Sequence, residues 1–239
     1  MRNISALHPQ LQQKIAELKK LCEKNRLKIG VGECLRTVAE QDAFYSQGRT
    51  KPGKIVTNAR GSAYSSQHQW GIAFDFYRND GTGLYNEAGN FFAKVGALAK
   101  SIGLGWGGDW KSPVDKPHLY LPDWGSTTTK LKQLYGTPDK FRRTWVEHPV
   151  FETDKTYTVT QACYLRDSAG AKSTNKVKYG TLSDPVKKKC RKKQGYAVFG
   201  KDKTFRLTRV QYAGGNIWGQ MKSGYWVPLI YKDEMRVNS

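Results

Sequence analysis

The chain has 239 residues, of which 38% are hydrophobic and 12% aromatic, so its composition excludes a disordered protein and is sufficient for one large domain or two smaller ones. Forty Lys and Arg oppose twenty Asp and Glu, and the formal charge of +20 favours polyanionic partners such as nucleic acid, anionic lipid or bacterial wall polymers. The positive charge is spread along the chain, which argues against one face that reads a specific nucleic acid.

The N-terminal half alternates predicted helices with short strands. Thr37 and Glu40 have the spacing of a capping box and predict a helix that begins at Val38. Apolar periodicity and glycines define the other elements. In chain order, the sequence predicts a helix at 9–27, a strand at 28–34, a helix at 38–46, a long loop at 48–66, a strand at 72–77, a helix at 86–102, a loop-and-strand region at 105–121 and a short helix at 127–136.

The pattern changes near residue 150, where short β-type runs separated by turn residues begin. These runs are typical of a small all-β barrel or sandwich. They lie at 157–160, 195–198, 205–212, 216–221 and 225–231. The sequence therefore predicts a first domain at 1–137, a linker at 138–154 and a second domain at 155–239.

The four cysteines form no Cys-x-x-Cys pair, which excludes a thiolate zinc knuckle. Isolated reduced thiols are expected, and a bridge between Cys22 and Cys34 is left open. The first twenty residues lack the apolar core of a signal peptide, and no stretch is apolar enough to span a membrane. We therefore expect synthesis without a signal peptide and no membrane span.

Two of the four histidines lie near carboxylates at short offsets. His68 precedes Asp75 on a segment that runs from a loop into a predicted strand, and His118 follows Asp115 by three residues. A catalytic zinc site needs three protein ligands and one open position, and imidazole nitrogen and carboxylate oxygen are both suitable ligands. We therefore predict a zinc site on His68, Asp75 and His118.

Asp115 is the candidate general base of this site. A carboxylate that is not itself a ligand could take a proton from the attacking water and pass it to the leaving amine. Gly71 and Ala73 would leave room for the backbone near the metal. Each histidine with its carboxylate is also compatible with a structural hydrogen-bonded pair, so the prediction depends on both clusters occurring together.

The motif Ser-x-His-x-x-Gly-x-Ala-x-Asp at residues 66–75, followed by Asp-x-x-His at 115–118, resembles the VanY/VanX-type peptidases. This family includes D-Ala-D-Ala carboxypeptidases and L-alanyl-D-glutamate endopeptidases. Further segments resemble the family in the same order, and the likeness covers about residues 5 to 125. These segments are Leu35-Arg36-Thr37, Glu40-Gln41, Tyr45 to Thr50 and Trp106 to Trp110.

The resemblance implies a small α+β zinc peptidase domain with an antiparallel sheet and flanking helices. It implies one Zn²⁺ on the three predicted ligands, with Asp115 as the base. Arg36 would orient the substrate or stabilise the oxyanion, or would be only a salt-bridged arginine. Ser66 and Gln41 are candidates for the wall of the substrate pocket. Asp109 and Trp110 are expected to support the loop rather than to catalyse.

Residues 155–239 resemble bacterial SH3-like cell-wall-binding domains, a resemblance that implies a small all-β barrel. The similar segments are 157–160, 164–170, 217–221 and 224–229. Trp218, Tyr225 and Trp226 are candidates for contact with the wall, with a place in the core as the alternative. The run Lys187–Lys193 is either a solvated hairpin tip or a contact for anionic wall polymer or nucleic acid.

Together these features predict a phage endolysin, a zinc endopeptidase that cleaves the L-alanyl-D-glutamate bond of the peptidoglycan stem peptide. It would be made in the host cytoplasm, released with the help of a holin and active at the cell wall. A D-Ala-D-Ala carboxypeptidase or dipeptidase on the same fold is the main alternative. A non-enzymatic basic protein that binds wall polymer or nucleic acid is the third hypothesis, although no specific nucleic acid is expected.

Overall fold

The computed structural model describes residues 3–145 and 147–239. The chain divides into two compact units, with the boundary between Val150 and Phe151. Within the described residues, no helix combines the length and the apolar character needed to cross a bilayer.

The N-terminal unit contains five α-helices in its described part, and their starts follow local sequence signals. The helix α1 begins at Pro9, and the side chain of His8 caps it by accepting a hydrogen bond from the backbone N–H of Gln10. The predicted capping box of Thr37 and Glu40 is confirmed at the start of α2. The helices are α1 (Pro9–Lys24), α2 (Val38–Ser46), α3 (Phe91–Ser101), α4 (Thr129–Tyr135) and α5 (Pro138–Arg142).

The prediction that α3 begins near residue 86 is wrong by about one turn and a half. Gly89 and Asn90 adopt left-handed backbone conformations, with φ of 70° and 56°, and these interrupt the helical path. The predicted end is confirmed, because Gly103 follows the helix with φ of 88° and Leu104 N–H donates to the Ala99 carbonyl.

Four short strands form the antiparallel sheet of this unit in the order β1-β2-β4-β3. They are β1 (Ile29–Val31), β2 (Ala73–Arg78), β3 (Gly105–Trp106) and β4 (His118–Tyr120). The register of β2 and β4 places Asp75 directly opposite His118. Beyond the end of β1, Asp75 N–H donates to the Glu33 carbonyl and Gly32 N–H donates to the Asp75 carbonyl, so both backbone groups of Asp75 are held by this segment.

The apolar core of this unit lies between the sheet and the helices. It is built from fully buried side chains of α1, α3, β2 and β4, among them Leu11, Val95, Phe74 and Leu119. Burial of such side chains provides most of the stability that holds the short strands in register. A mixed helical and antiparallel fold is therefore confirmed for this unit.

We predict that the folded protein loses stability at mildly acidic pH because of His8. Its ring stacks on Phe141 and meets Trp124 and Trp145 edge-on, with centroids 5.1 to 5.7 Å away. Burial, followed by the charge of His148, lowers the pKa of His8 from 6.5 to about 4. The unfolded chain therefore binds the proton of this imidazole more readily than the folded chain does. The contribution of neutral His8 to the free energy of unfolding is complete above about pH 6.5 and falls by roughly 2 to 3 kcal/mol as the pH falls towards 4.

The measurement is the free energy of unfolding in denaturant from pH 4 to 7, compared with His8→Asn. Asparagine retains a side-chain acceptor for the helix cap but does not titrate in this range. The wild type should lose more stability than the variant over this interval. Parallel profiles would show that His8 is not responsible.

The residues predicted as a linker at 138–154 are arranged differently from a free connector. Phe141 on α5 is buried in the core of the first unit, and Phe151 is buried in the core of the second. Both ends of the segment therefore belong to packed structure, because each carries a large apolar side chain that is covered on folding.

The C-terminal unit is antiparallel β-structure with one short α-helix, α6 (Asp184–Lys187), and two 3₁₀ turns. A six-stranded sheet has the order β12-β11-β10-β9-β5-β13, and a three-stranded sheet has the order β6-β8-β7. The strands are β5 (Thr156–Val159), β6 (Cys163–Tyr164), β7 (Cys190–Lys193), β8 (Tyr196–Phe199), β9 (Thr204–Ala213), β10 (Asn216–Met221), β11 (Trp226–Tyr231), β12 (Glu234–Met235) and β13 (Val237–Asn238).

The structure confirms antiparallel β-structure in this unit but does not show the expected closed barrel. The terminal strands of the six-stranded sheet, β12 and β13, do not pair with each other in the described residues, so the ladder is not closed. The basic run also differs from a hairpin tip. It leaves α6 and enters β7, an edge strand on which Arg191, Lys192 and Lys193 are exposed.

All four cysteines are free thiols. Cys163 and Cys190 pair with Phe199 from opposite sides of β8, so they lie two strand spacings apart, about 10 Å, which is too far for a disulfide.

Candidate metal centre

Three predicted ligand side chains converge at the two central strands of the N-terminal sheet. His68 lies on a short 3₁₀ helix at Gln67–Trp70, and Asp75 and His118 face each other on β2 and β4. One ligand atom from each lies within 4.8 Å of the other two. Both imidazoles are almost fully buried, whereas the Asp75 side chain remains 24% exposed, so the cluster is open on the carboxylate side.

The tautomer of His68 follows from its outer hydrogen bond. Its Nδ1 lies 2.8 Å from the Cys34 carbonyl oxygen, an acceptor only, so Nδ1–H donates there. The unprotonated Nε2 then faces Asp75 Oδ1 at 3.4 Å. Burial lowers the pKa of His68, and this favours the neutral imidazole that metal binding requires.

His118 has the opposite tautomer for the same reason. Its Nε2–H donates to Gln67 Oε1 at 2.8 Å, and its Nδ1 faces Asp75 Oδ1 at 3.2 Å. Burial alone would raise the pKa of Asp75, but in their protonated forms His68 and His118 outweigh burial through charge and hydrogen bonding, and they hold that pKa well below its usual range. The cluster therefore presents two imidazole lone pairs and an ionised carboxylate to one point.

These residues fit a zinc ion. Three acceptors that face one another are stable only with a cation between them or with extra protons. Zn–N and Zn–O bonds of about 2.0–2.2 Å at tetrahedral angles separate ligand atoms by about 3.3 Å. The separations of Asp75 Oδ1 from the two ring nitrogens, 3.4 and 3.2 Å, match that spacing.

Arg36 contacts the cluster through Asp75. Its guanidinium lies 3.6 Å from Asp75 Oδ2 and also contacts Glu33 and Gln41. The outer carboxylate oxygen is thus paired with a cation, which leaves Oδ1 directed towards the histidines.

Asp115 lies close enough to the cluster for the charges of His118, Asp75 and His68 to act on its carboxyl group. Its backbone is fixed by N–H donation to the Gly107 carbonyl and by acceptance from His118 N–H. A Cβ at Gly107 would lie 2.5 Å from the Asp115 carbonyl oxygen, so only glycine permits this turn. Burial, together with the charge of Asp75, raises the pKa of Asp115, although His118 acts in the opposite direction. A partly buried carboxylate of this kind is suited to accept a proton.

The other predicted residues are placed differently. Gln41 is fully buried, and its amide bonds Arg36, Thr57 and the Ala59 carbonyl, so it braces a loop and does not line a pocket. Ser66 is partly exposed beside Gln67. Gly71 has φ of 67° and a Cβ there would strike Trp145, so the glycine serves this turn rather than space around a metal.

Asp109 and Trp110, the two residues predicted to support the loop, make structural contacts. Asp109 pairs with Lys100 at 2.8 Å on the surface. Trp110 packs against the rings of His118 and Tyr120, with centroids 5.0 and 5.7 Å away. Trp110 therefore covers one face of a candidate ligand.

The predicted wall contacts Trp218 and Trp226 are buried, with 2% and 5% of their surface exposed, so they do not form an open platform. Neither belongs to the main apolar core of this unit, and Trp218 lines a cavity of the unit together with Tyr231. Tyr225 is partly buried against the same core.

Gln67 is a site residue that the motif did not identify, because its position in the motif is free to vary. It is 5% exposed, and its Oε1 accepts the outer N–H of His118 while its Nε2 has no hydrogen-bond partner in the described part of the chain. We expect Gln67→Leu to weaken zinc affinity by roughly 10- to 100-fold, because the ring of His118 loses its anchor. Gln67→Glu retains an acceptor and should keep the affinity close to that of the wild type.

Competition with a chelator measures the zinc dissociation constant of each variant. Gln69→Leu is the matched control, because Gln69 is equally buried on the same 3₁₀ helix but donates to the Gly61 carbonyl. If Gln67→Leu kept the zinc affinity of the wild type, Gln67 would not be needed to anchor the ring of His118.

The chain is similar to known peptidases over the segment that contains this cluster. A family model described as D-alanyl-D-alanine carboxypeptidase, of the M15 peptidases, matches residues 60–121. The peptidoglycan L-alanyl-D-glutamate endopeptidase CwlK of Bacillus subtilis (strain 168) is 40% identical over 126 residues, which are 49% of this chain and 74% of CwlK. The L-alanyl-D-glutamate peptidase of Listeria phage A118 is 30% identical over 124 residues, 50% of this chain and 39% of the phage protein.

Among solved structures, the L-Ala D-Glu endopeptidase ChiX of Serratia marcescens aligns with a TM-score of 0.35 and 23% identity, over 50% of this chain and 83% of ChiX. The sequence matches define the class of the protein as a metallopeptidase. The chain belongs to the M15 peptidase family.

Proposed function

We propose that this protein is a zinc endopeptidase that cleaves the L-alanyl-D-glutamate bond of the peptidoglycan stem peptide. The observation that carries the proposal is the convergence of His68, Asp75 and His118, with Asp115 close to them, inside the segment that matches the M15 family. The relatives CwlK and the phage A118 enzyme bear names that specify this bond, which supports the choice of substrate.

His68 Nε2, His118 Nδ1 and Asp75 Oδ1 would hold the zinc ion. When bound, zinc supplies Lewis-acid polarisation of the scissile carbonyl and lowers the pKa of water. Asp115 takes a proton from the attacking water and delivers it to the nitrogen of the departing amine. Arg36 holds the outer oxygen of Asp75, and its remaining N–H groups are available to a substrate carbonyl.

We assign the C-terminal unit to attachment at the wall, as an SH3-like binding domain. Its eighteen Lys and Arg exceed its seven Asp and Glu, and three of the cations are exposed on the edge strand β7. Such a strand can contact anionic wall polymer. With this role, the protein acts as an endolysin that reaches the wall after a holin opens the membrane.

The alternative function is a D-Ala-D-Ala carboxypeptidase, which the description of the matching family model favours. The substrate L-Ala-γ-D-Glu-L-Lys-D-Ala-D-Ala separates the two activities. The endopeptidase releases L-alanine from the N-terminus, whereas the carboxypeptidase releases D-alanine from the C-terminus. Mass spectrometry of the products with zinc-loaded protein identifies the bond, and release of D-alanine alone would refute the endopeptidase.

A purely binding role is the third hypothesis. It does not account for three ligand-type side chains that present lone pairs to one point. Absence of both hydrolysis products with zinc-loaded protein would restore it.

A further inference from the structure

The C-terminal unit contains a cavity of about 240 Å³ that the proposed peptidase chemistry does not use. Two arginines and several aromatic rings line it, and it lies entirely within this unit. The lining residues that matter here are Cys163, Tyr164, Arg166, Trp218, Tyr231 and Arg236.

Arg166 brings a buried positive charge to the cavity. The residue is only 8% exposed, and its Nη1 donates to the neutral oxygens of Lys172 and Asn175, at 2.9 Å in the second case. Its Nε is buried without a hydrogen-bond partner, and Arg166 makes no ion pair in the part of the chain that the structure describes. A guanidinium that is removed from water without a counter-ion is costly, so an anion at this place would be stabilised.

Arg236 adds a second cation to the same wall. Its side chain is 17% exposed, its Nη1 donates to Gln161 Oε1, and its Nη2 pairs with Glu234 at 2.8 Å. The Glu234 side chain is 64% exposed and therefore strongly screened by solvent. The Nε of Arg236 is buried without a hydrogen-bond partner among the described residues. The cavity thus carries two cations against one exposed carboxylate.

We propose that this cavity binds the terminal carboxylate of a wall stem peptide. The planar guanidinium fork matches the two oxygens of a carboxylate, and the rings of Tyr164, Trp218 and Tyr231 provide apolar surface for a small side chain such as that of alanine. A cavity of this volume holds one or two residues of a chain end. The source of the ligand rests on the proposed function, whereas the recognition of a carboxylate does not.

The test uses the full chain after EDTA has removed its metal and has itself been dialysed away, so that the peptidase site does not cleave the probe. The probe is Nα,Nε-diacetyl-L-Lys-D-Ala-D-Ala, and its C-terminal amide is the uncharged comparison. Binding is followed by NMR on the indole N–H of Trp218, which lines the cavity, and Trp218→Phe assigns that signal. The acid should shift the signal to saturation, and the amide should bind at least about tenfold more weakly.

Arg236→Gln should weaken binding of the acid by at least about tenfold, and Arg236→Lys, which keeps the charge but loses the fork, should give a smaller loss. Arg209→Gln is the matched control, because Arg209 is an exposed arginine of β9 that does not line the cavity. Thermal unfolding verifies that each variant is folded. The comparison of acid with amide needs no variant and decides the matter if Arg236→Gln does not fold.

Equal binding of the acid and the amide, or wild-type binding by folded Arg236→Gln, would overturn the proposal. A shift of the Trp218 signal by inorganic phosphate but not by the acid would also overturn it, in favour of a phosphate polymer. Cleavage of the soluble pentapeptide by zinc-loaded protein is scored separately, and the Arg209→Gln control should cleave it at the wild-type rate. Carboxylate binding without cleavage would therefore refute the proposed function and leave the cavity's assignment standing.

Discussion

Asp75→Ala is expected to abolish zinc binding and peptidoglycan cleavage together. Asp75 Oδ1 is the atom shared by both imidazoles, at 3.4 Å from His68 and 3.2 Å from His118. Without it, two neutral nitrogens remain, which is too few for a catalytic zinc site. Activity should fall by at least about 10³-fold, because both polarisation of the carbonyl and activation of water depend on the metal.

The measurements are metal content by mass spectrometry and release of amino groups from purified peptidoglycan. Asp80→Ala is the matched control, since Asp80 follows the same strand and pairs with Arg78 outside the cluster. It should keep both zinc and activity. If folded Asp75→Ala retained one zinc per chain and wild-type cleavage, the metal would have to lie elsewhere.

Asp115→Asn should lower kcat by about 10² to 10⁴-fold while zinc stays bound. Asparagine has nearly the same shape and preserves the backbone contacts to Gly107 and His118, but its amide cannot accept the proton of the attacking water. KM should change little, because the loss falls on the chemical step. Kinetics on the pentapeptide, with zinc content determined in the same sample, measure both effects.

Asp109→Asn is the control for this second substitution. Asp109 belongs to the same loop region but pairs with Lys100 at the surface, so its loss should leave kcat near the wild-type value. Loss of zinc from Asp115→Asn would make Asp115 a ligand rather than a base. Undiminished kcat with bound zinc would exclude Asp115 from proton transfer.

The parts of the fold that were predicted correctly depend on neighbouring residues. The start of α2 follows from Thr37 and Glu40, three positions apart, and the end of α3 follows from Gly103. The start of α3 was missed although Gly89 and Asn90 favour a left-handed backbone, because such residues also occur inside helices and packing decides between the two. The packing of Phe141 and Phe151 into separate cores likewise depends on distant contacts.

In the candidate site, too, some residues could be predicted from local sequence patterns, whereas others depend on contacts between distant parts of the chain. The motif spacing identified the side chains of the cluster, because β2 and β4 pair in a register that follows from alternation along each strand. Gln67 could not be found in this way, since its role depends on the direction of its amide towards a histidine fifty-one residues away. Gln41 was misplaced because burial of a polar residue depends on partners from a loop, here Thr57 and Ala59.

The claim that His68, Asp75 and His118 hold the catalytic metal is tested most directly by anomalous diffraction at the zinc edge. Crystals of zinc-loaded, active protein should show one strong peak at about 2.0–2.2 Å from His68 Nε2, His118 Nδ1 and an oxygen of Asp75. The peak should be absent from crystals of Asp75→Ala and present in crystals of Asp115→Asn. A peak elsewhere in active protein, with none at these three side chains, would contradict the account.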